Sequence, residues 1–354
     1  MGKRVFWLFF ISLWGTVITE MRGQPNEWRD SIDYNPNYII DYSDQLSVRG
    51  FASIRSTAIS HHDDYTRKSI TYKPNENIKM GLGASTDWFS LNIAFNWPLL
   101  NNDDAKYGKT KALDIQSNVF LRYLAIDLVL QQYKGYYISN PESYIQQYNL
   151  TNYPQRPDLK TINAGISGLY VFNHENFSYR AAFTQTERQV KSAGSWVSGI
   201  FFNYFTMTAD STLIPNELNA RANYQNDFRN TDYYNFGITG GYAYNLVVFK
   251  RVFLSMTCTL GIGPEIEKAK STDQREPYSN TVLDEFIAIR VALGYNGTTY
   301  YGGLSAFATS SGAKEKEAAY LERGVNNFKI YFGRRFIQPN FLDKPKNKLF
   351  KSLL

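Results

Sequence analysis

Residues 287–297 read Ile287-Ala288-Ile289-Arg290-Val291-Ala292-Leu293-Gly294-Tyr295-Asn296-Gly297. Large apolar side chains hold the odd positions up to Tyr295, and alanine, arginine or glycine hold the even ones. Successive side chains of an extended strand point to opposite faces, so this stretch has one apolar and one small or polar face. Helical spacing does not fit it. Asn296-Gly297 tolerates the positive φ of a type I′ turn and is a strong hairpin signal.

The same unit recurs between Leu46 and Phe336: about ten alternating residues, then a turn or polar loop. Leu91, Ile93, Phe95 and Trp97 alternate with polar or small neighbours, as do Leu113, Ile115, Val119 and Leu121, and again Phe328, Ile330 and Phe332. Short connections sit near Ser85-Thr86-Asp87, Tyr123-Leu124, Asn173 to Asn176, and Leu246 to Phe249. Long polar ones sit near 60–76, 98–109, 137–159, 209–231, 265–281 and 310–324. Short and long connections on opposite ends are the layout of a transmembrane barrel with tight periplasmic turns and longer outer loops. The expected fold is therefore all-β, a transmembrane antiparallel up-and-down β-barrel of about 12 strands, within a range of about 10–14. The strands are expected near 46–59, 77–85, 87–97, 110–122, 124–136, 160–172, 177–208, 232–246, 250–264, 282–295, 298–309 and 325–336. That even count requires 177–208 to act as one long, kinked strand.

A secreted β-sandwich also alternates. What favours the barrel is the clustering of aromatics at strand ends: Trp88, Trp97, Tyr123, Tyr136, Tyr137, Tyr170, Phe172, Tyr242, Tyr244, Tyr295, Tyr300 and Tyr301. Such amphipathic rings suit the two membrane interfaces. Composition agrees. Aromatics make up 16% of the 354 residues and charged residues only 20%, yet mean hydropathy is −0.39. That excludes a helical membrane bundle, which needs repeated apolar runs of about 20 residues. It also excludes a disordered chain. The single cysteine, Cys258, excludes a disulfide framework and a multi-cysteine metal site.

The chain opens Met1-Gly2-Lys3-Arg4, then runs uncharged and apolar from Val5 to Ile18, with Gly23 before a plausible cut at Gln24. This is the three-part pattern of a secretory signal; the apolar run is too short for a spanning helix. The expected organisation is a signal peptide at 1–23, a periplasmic N-terminal segment at 24–45, the barrel at 46–336 and a basic tail at 337–354. Removing the signal leaves a mild positive charge, which is no argument for nucleic-acid binding.

By alternation Arg49, Arg55, Asp114, Arg180, Asp284, Arg290, Lys329 and Arg335 point away from the apolar face. An Arg or Lys turned to lipid near the midplane costs about 2–4 kcal/mol, so these side chains belong in the lumen. Two readings follow: a salt-bridged filling that holds a narrow barrel closed, or an electropositive passage for a small anionic solute. Asp284 is a candidate partner for Arg290. Around Arg180, charges at Glu187, Arg188 and Lys191 interrupt the strand pattern; a lumen plug or constriction is preferred over a plain outer loop.

His61-His62-Asp63-Asp64 falls in the first expected outer loop. A catalytic or metal-binding rim site is one reading. A solvated loop is the other, and is favoured because adjacent residues on an extended chain face opposite ways. His174 lies on the opposite end, so no Ser/His/Asp arrangement is proposed, and no metal or cofactor is expected. Expected partners are outer-membrane lipid and the barrel assembly machinery.

The run Ser178-Tyr179-Arg180-Ala181-Ala182-Phe183-Thr184-Gln185-Thr186-Glu187-Arg188-Gln189, continued by Lys191-Ser192-Ala193-Gly194-Ser195, resembles a Bacteroidetes-type outer-membrane β-barrel family known as domain of unknown function 4421. The likeness covers most of the mature chain and includes the closing strand, Asn327 to Gly333. It implies an outer-membrane location and supplies no catalytic residue to carry over. One feature departs from the usual barrel end. Phe336 closes the last strand, but a tail with Lys344, Lys346, Lys348 and Lys351 runs on to Leu354, where many such barrels stop on an aromatic residue that their assembly machinery reads.

Overall fold

The computed structural model describes residues 33–42, 44–63, 68–75, 78–86, 90–96, 103–143, 152–211, 213, 230–269, 278–312 and 320–339. The expected signal peptide and most of the basic tail lie outside them, as do Trp88 and Trp97. In chain order the strands are β1 (Ile39–Asp41), β2 (Gln45–Asp63), β3 (Lys68–Lys73), β4 (Lys79–Ser85), β5 (Ser90–Asn96), β6 (Lys111–Phe120), β7 (Leu124–Ile138), β8 (Gln155–Val171), β9 (Glu187–Gln189), β10 (Ala193–Thr208), β11 (Asn230–Val248), β12 (Val252–Ala269), β13 (Tyr278–Asn296), β14 (Tyr300–Gly312) and β15 (Tyr320–Ile337). Among the described residues two short α-helices, α1 (Asp104–Tyr107) and α2 (Tyr179–Phe183), and a 3-10 turn at Pro141–Ser143 interrupt them.

The strands close into an antiparallel barrel. β15 pairs with β2 from Gln45↔Ile337 to His62↔Tyr320, which leaves no free edge there. On the loop side the ring has ten strands: β2, β3, β7, β8 and β10 to β15. On the turn side β4 takes over from β3 against β2, and β5 and β6 are inserted between β4 and β7. The change happens at Gly135, where the register of β7 shifts from β6 to β3. Gly135 has φ 94°, and a Cβ there would meet the Lys109 carbonyl oxygen at 2.3 Å, so glycine is required. The Thr110 hydroxyl donates to the Gly135 carbonyl (2.7 Å) and accepts from the Asn75 amide (2.8 Å), pinning the fork.

The outer wall carries a broad apolar belt. The register sets Leu246, Leu254, Leu293, Leu304, Ile330, Ala52, Met80 and Phe95 side by side across eight strands. Neighbouring rows add exposed Ile200, Ile238, Leu260 and Phe332. A patch on this scale is far beyond what a water-soluble surface carries, and it is the lipid-facing belt of a membrane barrel. Exposed Tyr123, Tyr170, Phe172, Trp196, Tyr242, Tyr244, Tyr295 and Tyr300 ring its turn side. Tyr136 and Tyr301 do not join that girdle: both are fully buried and face inward.

Polarity then inverts along the axis. On the loop side Ile59, Tyr72, Leu159, Met207 and Leu321 form a buried core inside the barrel. The outward positions there include Gln132, Lys134, Lys268 and Thr281. This half therefore folds as a water-soluble barrel would. The inversion explains one departure from expectation, and a second lies on the turn side. Most of 60–76 is strand, because β2 runs through His61-His62-Asp63 and β3 follows; polar residues suit an outer face above the belt. Residues 177–208 are not one strand. Only β10 belongs to the wall, and 177–192 folds inward.

The Asn296-Gly297 hairpin is present, but neither residue has a positive φ, so its turn is not type I′. Asn296 instead turns its side chain into the barrel.

The belt makes a position-specific prediction on one strand face. Ile289→Arg sets a charge among acyl chains and should cost about 2–4 kcal/mol near the midplane. Thr281→Arg, on the same face of β13 but beyond the belt, should stay within about 0.5 kcal/mol of wild type. Urea unfolding in lipid vesicles measures both; equal tolerance would refute the assigned belt.

Candidate functional site

Between β8 and β10 the chain turns into the barrel at its turn side. Ser178 is extended (φ −131°, ψ 120°), and its hydroxyl accepts the Ala181 amide at 3.0 Å, capping α2. The helix ends at Phe183, Thr184 caps it, and Gln185 follows in the left-handed region at φ 58°. β9 follows and pairs antiparallel with β1, Ile39↔Gln189 to Asp41↔Glu187. Tyr179, Arg180, Ala181 and Ala182 are all buried.

Strands around the ring hold this insert. Arg335 of β15 donates to the Gln185 carbonyl from Nε (3.0 Å) and Nη2 (2.6 Å). Arg49 of β2 donates to Gln185 Oε1 and to the Thr184 carbonyl, each at 3.3 Å. Gln185 Nε2 donates to the Tyr331 hydroxyl at 3.0 Å. Asn296 of β13 donates to the Ala181 and Glu187 carbonyls, both at 2.9 Å, and Asn245 of β11 donates to the Ser178 carbonyl at 2.9 Å. The Tyr179 hydroxyl meets Thr257 Oγ1 of β12 at 3.1 Å.

Glu187 is the charged centre. It is 0% exposed, accepts two bonds from Arg122 (2.6 and 3.0 Å), one from Arg180 (3.4 Å) and one from the Ser178 hydroxyl (2.5 Å). Arg180 also donates to the Phe120 carbonyl at 2.9 Å. A buried carboxylate needs this many donors, because two bonds alone leave lone pairs without a partner in low dielectric.

Further along the axis, inward charges pair across the barrel. Arg290 grips Asp127 of β7, with Nη1 to Oδ1 at 2.8 Å. Asp127 also accepts from Asn118 and Ser167. Arg290 is therefore not partnered by Asp284, which accepts instead from the Gly312 amide (2.7 Å) and Asn235. Arg55 lies 3.9 Å from Asp114, whose other oxygen takes the Tyr133 hydroxyl at 2.6 Å. Arg323 pairs with Glu265 and stacks 4.3 Å over Tyr233. Lys329 stands 5.2 Å over the Phe51 ring. A cavity of about 250 Å³ beside the insert is bordered by Arg49, Arg55, Arg290 and Lys329.

Several anticipated residues sit elsewhere. Arg180 is on α2, not on a wall strand. Arg188 is half-buried at the rim, 3.3 Å from Thr298 Oγ1 and over Tyr42, and Lys191 is exposed over Tyr38; neither enters the lumen. His61 is buried inward while His62 faces out, 3.2 Å from Glu322, so strand alternation separates the two rings. Asp64 lies outside the described residues. Sequence reasoning missed Asp127, Glu265, Arg323, Arg122 and the amide anchors Asn245 and Asn296. Alternation through Ala125-Ile126-Asp127-Leu128 would have placed Asp127 inward. Asp127 and Glu265 are offset by Arg122 and Arg323, so the inward positive excess read from the sequence stands.

Glu187→Gln leaves Arg122 and Arg180 without a buried carboxylate and should destabilise the insert by about 3–5 kcal/mol. Lys191→Gln, four residues on but exposed, should change stability by under about 0.5 kcal/mol. Hydrogen exchange of the 179–189 amides in folded protein reads both. Unchanged protection in Glu187→Gln would show that the ion cluster does not hold the insert.

The chain is similar to the outer membrane protease OmpT of Escherichia coli, at 8% identity over 87% of this chain and 99% of that one, with a TM-score of 0.36. It is also similar to the translocator domain of autotransporter NalP from Neisseria meningitidis (7% identity, 93% and 97% covered, TM-score 0.30). A third likeness is to Ail of Yersinia pestis (11%, 81% and 98%, TM-score 0.24). No curated protein matches the chain in sequence. A family model for a domain of unknown function, DUF4421, matches residues 29–336, which takes in the strands of the barrel up to the last residue but one of β15. The chain belongs to the DUF4421 family.

Proposed function

We propose that the protein is an outer-membrane barrel with a structural or ligand-binding role, its lumen held shut. Delivery by the 1–23 signal and insertion by the barrel assembly machinery complete this reading. The observation that carries it is the fastening at Gln185, where Arg49, Arg335 and Tyr331 from two adjacent wall strands converge on one inserted residue. A passage would need those bonds to break, and broken bonds here would strand buried polar groups away from water. On the loop side, the buried core around Tyr72 and Met207 fills the bore. Arg55, Arg122, Arg180, Arg290 and Arg323 each meet a carboxylate, and such cross-braced pairs suit a filled barrel better than a selective conduit.

The test is conductance in planar bilayers. Wild-type protein should be silent at several voltages. Asn296→Ala combined with Arg335→Ala, which unfastens the insert, should stay silent as well, since the loop-side core still fills the bore, but should speed hydrogen exchange of the 179–189 amides. Steady conductance from the wild type would overturn the closed reading and restore the anion passage.

A further inference from the structure

The ring has one interruption. β5 pairs only with β4 and β6 only with β7, so among the described residues the facing edges of β5 and β6 have no partner strand. This seam lies in the apolar belt: Leu91 and Ile93 on one edge and Ile115 and Val119 on the other are all exposed. Backbone donors and acceptors left open in hydrocarbon are costly, and lipid-exposed sheet edges are avoided for that reason. An open edge at this depth calls for something that brings polar atoms to it.

Behind the seam lies the cavity of about 250 Å³. Its lining includes Leu91 and Asn92 from β5 together with Ile115 and Asn118 from β6, so it reaches the lipid face between the two strands. Its floor is Phe183 and Thr184 of the insert, which shuts it off from the turn side.

The charges inside are not balanced. Arg290 has Asp127, and Arg55 has Asp114. Arg49 is bonded to neutral groups: Asn92 Oδ1 at 3.0 and 3.1 Å, Ser90 Oγ at 3.4 Å, Gln185 Oε1 and the Thr184 carbonyl. Lys329 has the Phe51 ring and, among the described residues, no carboxylate. Two cations sit in a low-dielectric wall without a counter-charge, which favours an anion arriving from outside. The volume is below the roughly 300–1,000 Å³ of sites that enclose a whole ligand, so it suits a headgroup whose remainder stays outside.

We infer that the cavity binds a single-chain anionic amphiphile from the bilayer, its phosphate or carboxylate head against Lys329 and Arg49 and its acyl chain leaving between β5 and β6 along Leu91 and Ile115. Polar head atoms would then lie beside the open strand edges, and the chain would cover the apolar seam. A water-borne ion would have to pass the insert; a lipid enters through the wall. The inference rests on the closed, membrane-embedded reading above.

The experiment uses the full chain folded in non-ionic detergent and palmitate carrying a diazirine in its chain. Photolabel should concentrate on the peptides of Ser90–Asn96 and Lys111–Phe120. Unlabelled palmitate and lysophosphatidylglycerol should both compete, which separates neither head but requires the charge; whichever competes better names the source. Neutral monopalmitoylglycerol, acetate and inorganic phosphate should compete poorly. Lys329→Gln should weaken binding by about tenfold or more, the loss of one charge-assisted contact, and Lys329→Arg should restore it. Compact migration of unboiled variants confirms that each is folded. Label spread evenly over the belt, equal competition by the neutral lipid or by tailless anions, or undiminished binding by folded Lys329→Gln would overturn the site. A barrel that stays silent in bilayers but takes no label refutes this inference alone.

Discussion

Within a bilayer, neither a backbone amide nor a charged side chain can fall back on water. Each must find its partner inside the protein. The pairing of β15 with β2 meets the first half of that constraint everywhere but at the seam between β5 and β6, and most of the rest of the structure follows from the second half. Once the outer face of the belt is apolar, the inner face of the same strands holds the polar side chains, because alternation allows no other place. Those side chains then need one another across the bore. Arg290 of β13 reaches Asp127 of β7, and Arg335 and Asn296 reach the insert.

Outside the belt the constraint reverses, and so does the wall. Tyr72, Leu159 and Met207 are fully buried inside the loop-side half, where water is available to the outer face. The barrel is thus shut by two kinds of matter: a hydrogen-bonded polar insert on one side and a hydrophobic core on the other. Buried ion pairs such as Glu187 with Arg122 contribute little net stability over an apolar filling, but breaking one is expensive. They fix where the insert sits.

Much of this was legible in residues 287–295, because lipid leaves a clean alternating record. It was less legible wherever strands leave the belt. His61-His62-Asp63 looks like a loop because the outer face there is polar, and the strand is held by inward Ile59, Ile70 and Tyr72 instead. The insert was harder still. Alternation in Ala193–Thr208 extends plausibly backward, and only the charges from Arg180 to Lys191 warned against one strand. Even so, Arg188 and Lys191 stay at the rim. Alternation gives the face of a residue but not its height or direction around the bore, so the partner of Arg290 could not be read from sequence, and Asp284 was the wrong choice. The seam between β5 and β6 left no sequence signal either, since both segments alternate like any paired strand.

The native thiol tests the central claim, that the belt faces lipid. Cys258 is exposed on β12, between Tyr242 and Ile289 on the neighbouring strands and between Met256 and Leu260 on its own face. In protein folded into vesicles, a membrane-impermeant charged thiol reagent applied from both sides should leave it unmodified, because the reagent does not enter hydrocarbon and a thiol there stays protonated. Unfolding in urea should then open it to the charged reagent. Prompt modification by the charged reagent in the folded, vesicle-inserted protein would contradict the account, because it would put that outer face in water.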